Sequence, residues 1–77
     1  MNKARRQAIE KAIEILSAQK DELECIRDEE QEAYDNLPES LQYAEKGEQM
    51  QENCDDLDSV ATDLEDLIDR LQDIIDR

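Results

Sequence analysis

The stretch Met50-Gln-Glu-Asn-Cys-Asp-Asp-Leu-Asp-Ser-Val-Ala-Thr-Asp-Leu-Glu-Asp-Leu-Ile-Asp-Arg-Leu-Gln-Asp-Ile-Ile75 decides the fold. Met50, Leu57, Leu64 and Leu71 recur every seven residues, and Asn53, Val60, Leu67 and Ile74 repeat three residues on. Cys54, Ala61, Ile68 and Ile75 form a third line at the same spacing. Three adjacent lines of this period make one broad apolar face on a helix. Nine acids from Asp55 to Asp76 fill the rest of the surface.

Toward the N-terminus the same period returns. Ile9, Leu16 and Leu23 form one line, and Ala12, Gln19, Ile26 and Ala33 the next, with Ile13 and Ile15 widening the face at its start. The first line then reaches Glu30, where an apolar residue is expected. Its carboxylate either snorkels to water as the seam weakens or makes a buried polar contact that sets register.

Between the two periodic stretches, Asp35-Asn36-Leu37-Pro38 interrupts the pattern. Asn36 can cap the second helix, with Glu39 completing a capping-box-like pattern. Pro38 suits a first helical turn and pushes Leu37 away from the helical region. The reading is a tight αα turn over 35–38. It gives an all-α antiparallel helical hairpin, with helices about 3–34 and 38–76 in a single domain, 1–77. Gly47 costs ~1 kcal/mol against Ala inside a helix. A continuous second helix is preferred over a short helix 38–46 that stops there. Leu37 and Leu41 lie off the later lines, a phase shift of the stutter kind.

Lys3, Arg5 and Arg6 begin the first helix, and Asp69, Asp73 and Asp76 end the second. Each set opposes its own helix dipole; a hairpin brings the two together. Asp66–Arg70 and Asp73–Arg77 are favourable i,i+4 pairs. Three apolar lines are wider than one neighbouring helix covers, and an exposed patch of that kind marks an interface. The expectation is a homo-oligomer, most simply a dimer of hairpins forming a four-helix bundle. Its interface would draw on Ile9, Leu16, Leu23, Leu57, Leu64, Leu67, Ile68, Leu71, Ile74 and Ile75.

Composition agrees. A 77-residue chain buries too little surface to be comfortable alone. One Pro and one Gly argue against a β-rich fold. A net charge of −14, from 23 acids and 9 bases, weighs against direct DNA binding and anionic membranes. It favours a basic protein partner or simple solubility. No apolar run approaches the ~20 residues of a membrane span, and no signal-peptide core follows the basic start. The two cysteines then read as reduced thiols in a cytosol. Cys25 is off the apolar lines and Cys54 on one. A hairpin staggers them by ~10 Å along its axis, beyond disulfide reach.

The remaining residues offer little reactive chemistry. Without His there is no triad and no H-E-x-x-H site. One Gly cannot make a phosphate-binding loop, and an EF-hand begun at Asp56 fails at Val60, Ala61 and Leu67. The chain reads as a non-enzyme with no cofactor and no metal. The turn region holds both tyrosines, the only Pro and the only Gly. It is either a helical turn whose tyrosines cover the end of the seam, or a recognition surface of Arg27, Tyr34, Asn36, Tyr43 and Lys46.

The run Arg27-Asp-Glu-Glu-Gln-Glu-Ala-Tyr-Asp-Asn-Leu-Pro-Glu-Ser-Leu-Gln42, continuing in Lys46-Gly-Glu-Gln-Met50, resembles a family of short acidic proteins of phages and prophages. The heptad helix after Met50 is also similar, so the likeness covers most of the chain. It implies an accessory gene of a mobile element encoding a host-interaction factor, acting in the bacterial host cytoplasm. The family has no assigned site residues to carry over. Two function classes are consistent with these features. One is an anti-defence binder sequestering a host component, either a small nucleotide signal or a basic protein deceived by a nucleic-acid mimic. The alternative is a structural oligomerisation or adaptor module with no ligand.

Overall fold

The computed structural model describes residues 1–77. It is all-helical: α1 (Lys3–Asp35), α2 (Glu39–Gln42) and α3 (Glu45–Ile75). The molecule measures 59 × 14 × 12 Å. A helix of α1's length spans about 50 Å, so α1 and α3 must lie side by side. Arg27 meets Asp58 and Glu30 meets Asn53. Residue numbers fall along α1 as they rise along α3, so the two run in opposite directions.

Local chemistry sets the ends. Asn2 caps α1, its Oδ1 accepting from the Arg5 N–H at 2.8 Å. At the other end the Asn36 N–H donates to the Glu32 carbonyl, and the Leu37 N–H donates to that of Tyr34. Asn36 therefore closes α1 and does not cap the second helix, contrary to the sequence reading. Pro38 precedes α2 in extended conformation (φ −55°, ψ 145°). Its carbonyl accepts from Leu41 and Gln42, holding a single turn.

The predicted helix 38–76 is thus two helices. The break falls at Tyr43–Ala44, and α3 continues through Gly47. Gly47 is buried at a place where backbone meets backbone. A Cβ there would collide with the Gln42 carbonyl oxygen and sit 2.6 Å from that of Leu41. Its φ is negative, so the requirement for glycine is space alone. The glycine permits α2 to fold back on the first turn of α3.

The seam between α1 and α3 is two lines wide on each helix. On α3 the Met50/Leu57/Leu64/Leu71 and Cys54/Ala61/Ile68/Ile75 lines are half-buried or buried. On α1 the Ile9/Leu16/Leu23 line faces inward as expected, but Ala12, Gln19, Ile26 and Ala33 are exposed. Their place is taken by Ile13, Lys20, Arg27 and Tyr34. Long basic side chains can lay their methylenes along an apolar strip while the charge reaches a carboxylate. Glu30 is half-buried at the edge of an open groove and accepts from Asn53 Nδ2 at 2.8 Å across the two helices.

Only Gly47, Cys54 and Ala61 are buried, and no large side chain is fully enclosed. The expected meeting of Lys3, Arg5 and Arg6 with Asp69, Asp73 and Asp76 does not form. Nor do the Asp66–Arg70 and Asp73–Arg77 pairs close to within 4 Å. These side chains project into water, where attraction is too weak to fix them in one geometry.

Gly47→Ala is expected to destabilise the fold by about 1–3 kcal/mol through overpacking, measured by urea unfolding. Were the site an open helical position, the same change would stabilise it by about 1 kcal/mol. The sign of the effect therefore tests the close approach.

Candidate functional site

The α1–α3 pair has two unlike flanks. One is closed by charge. Arg27 Nη1 donates to Asp58 Oδ1 at 2.6 Å, and Arg27 also donates to Asp28. Lys20 Nζ lies 2.6 Å from Glu24. The Lys20 ammonium is held above its ordinary pKa chiefly by the hydrogen bond to Glu24. The Arg27 guanidinium is raised by its hydrogen bonds to Asp28 and then Asp58.

The other flank is apolar and open. Val60 and Leu67 are each 46% exposed and Ile26 41% exposed. Ile26, Leu57 and Val60 share a groove with Glu29, Glu30, Asn53 and Asp56. A second groove nearer the termini is lined by Leu67, Leu71, Ile74, Arg70, Arg77 and Asp73. Of the ten residues expected at an oligomer interface, Leu67 lies exposed on this flank and Ile74 half-exposed in its second groove. Ile9, Leu16, Leu23, Leu57, Leu64, Ile68, Leu71 and Ile75 already occupy the seam within the chain. Val60 and Ile26, absent from that set, belong to the open flank; the Val60/Leu67/Ile74 periodicity carried the signal.

The tip residues are dispersed. Tyr34 is half-buried at the end of the seam, where its carbonyl accepts from Gln42 Nε2 at 3.2 Å. Tyr43 is 76% exposed, and Asn36 and Lys46 also face water. Arg27 lies seven residues before Tyr34, about 10 Å along the helix, and is engaged by two carboxylates. None of the five lines either groove. No three carboxylates or thiols converge at metal-ligand distance, and no helix is long and apolar enough to cross a membrane.

Charge is divided along the rod. Residues 15–65 hold seventeen acids and three bases, the entire net −14, while the remaining residues hold six of each. The termini-bearing end is neutral. The shaft and tip are strongly acidic, and two of their three bases, Lys20 and Arg27, are engaged within the chain.

Both cysteines are free, as the spacing implied. Cys25 is exposed; Cys54 is 5% exposed, with Sγ 3.8 Å from the Arg27 carbonyl. Burial, and then the nearby Glu30 carboxylate, push the Cys54 thiol up. The unfolded chain therefore releases this proton first as pH rises. Its contribution to stability is complete below about pH 8.5 and declines as pH climbs through the folded value. A thiol-exchange assay at neutral pH should modify Cys25 at once and Cys54 only at the rate of opening. Stability measured from pH 7 to 10 should fall in wild type and fall less in Cys54→Ala.

No family model, no curated protein and no solved structure matches this chain.

Proposed function

We propose that this chain is a non-catalytic binding protein: a helical hairpin that assembles through its open flank and presents its acidic shaft to a basic partner. The observation that carries the reading is the division of charge. All fourteen net negative charges lie on residues 15–65, and the shaft's inward bases are engaged by its own acids. Rows of carboxylates on a rod 12–14 Å across offer a basic protein the density of charge that it meets on nucleic acid. In this reading an accessory factor of mobile-element type sequesters a basic host component in the bacterial cytoplasm. The sponge for a nucleotide signal is less favoured, because it needs convergent cations. Arg27 is committed elsewhere, and Lys46 stands apart from either groove.

A second reading is favoured by the exposed Ile26, Val60 and Leu67: assembly through that flank is the whole function. The two are separated by capture from bacterial lysate with duplex DNA as competitor. A mimic should retain nucleic-acid-binding proteins that DNA displaces, with affinity falling about tenfold or more between low and physiological salt. Replacing Glu48, Glu52 and Asp55, all exposed, by their amides should weaken capture. Self-association with no DNA-displaceable partner would leave only the structural role.

A further inference from the structure

The open flank carries a pattern that specifies what covers it. Next to the Val60, Leu67 and Ile74 line on α3 runs a rim of Asp56, Asp63, Arg70 and Arg77, also spaced by seven. Reversed, this rim matches itself with opposite sign: acid, acid, arginine, arginine against arginine, arginine, acid, acid. The two grooves repeat the contrast. The one nearer the tip has Glu29, Glu30 and Asp56 around its apolar floor and no base. The one nearer the termini has Arg70 and Arg77 with Asp73.

We infer that a second copy covers this flank, running the opposite way about a two-fold axis at Leu67, with Asp63 of each copy against Arg70 of the other. The inference rests on the reading of the chain as a self-assembling unit and adds its symmetry and register. The two-fold sets α3 on α3 of the second copy. Leu67 then meets its own counterpart, Val60 meets Ile74, and Asp56 meets Arg77. The acidic groove of each copy closes over the arginine-bearing groove of the other, which satisfies the self-complementarity that an isologous interface requires.

The competing arrangement, with both rods pointing the same way, buries the same apolar line but sets α3 on α1 of the second copy at equal height. It lays acidic groove on acidic groove and one −14 shaft along another. Like charges so placed are a strong barrier to association. The opposed arrangement overlaps only the terminal parts of the rods. Leu67 lies ten residues from Arg77, about 15 Å, so the overlap is about 30 Å of the 59 Å rod. An acidic shaft projects from each end, free to bind.

The test uses the full chain. Sedimentation should show a dimer in wild type. Arg70→Asp should weaken it about tenfold or more, and adding Asp63→Arg should restore it. Spin labels at Tyr43→Cys, with Cys25→Ser and Cys54→Ala, should lie about 70 Å apart, against about 20 Å for the parallel arrangement. In the same background Leu67→Cys should form an intermolecular disulfide under mild oxidation. A monomer at all concentrations overturns both self-assembly and this arrangement. A dimer with close labels, or one that the charge exchange does not rescue, overturns this arrangement alone. Far-UV circular dichroism confirms that each variant remains helical.

Discussion

Two helices in side-by-side contact share a strip about two heptad lines wide on each, and α3 carries three. The rest of the molecule depends on that mismatch. Two of the three lines are spent on α1. The Val60/Leu67/Ile74 line has no neighbour within the chain, except that Ile26 shares the groove of Val60. The result is a rod in which the only buried hydrophobic side chains are Cys54 and Ala61. Hydrophobic burial is the main favourable term in folding, so a chain that hides so little is marginal alone. The uncovered line is a structural deficit as well as a surface.

The small residues of the seam decide how closely it closes. Gly47, Cys54 and Ala61 share one heptad line of α3. Large side chains there would hold the neighbouring backbone away. At Gly47 the neighbour is the α2 backbone itself. Farther along, the Arg27 carbonyl lies against the Cys54 thiol. Two polar contacts bridge the helices: Glu30 with Asn53 on one side of the seam and Arg27 with Asp58 on the other. Both are partly exposed, so their energetic weight is modest. Apolar residues packed along a smooth strip could slide by a heptad, and these two contacts are lost if they do.

The placement of charge joins architecture to function. Acids crowd the shaft and tip, while bases gather at the termini-bearing end. Such crowding costs stability through self-repulsion and leaves one end of the rod electrically neutral. That end is also where Leu67 and Ile74 lie open beside two arginines. Balanced charge and open apolar surface thus coincide at that end, whereas the shaft is strongly acidic.

Much of this was legible in the residues. Period-seven lines announce two long helices, the Asn36–Pro38 interruption announces a reversal, and three lines on one helix announce uncovered surface. The all-α class, the bounds of α1 and the free thiols derive from spacing and backbone chemistry, which act locally. What spacing could not decide was which of two candidate lines on α1 turns inward. Lys20 and Arg27 look like surface residues until α3 packs beside them, leaving both half-buried and bringing Asp58 to Arg27. Nor could it place the break at Tyr43–Ala44: Gly47 is the weakest helix former there, yet it lies inside α3 because α2 folds back onto it. The roles of Asn36, Glu30 and the terminal charges likewise depended on partners distant in the chain or on water. Periodicity determined how much apolar surface each helix carries; only packing in three dimensions decided which part of it was left open.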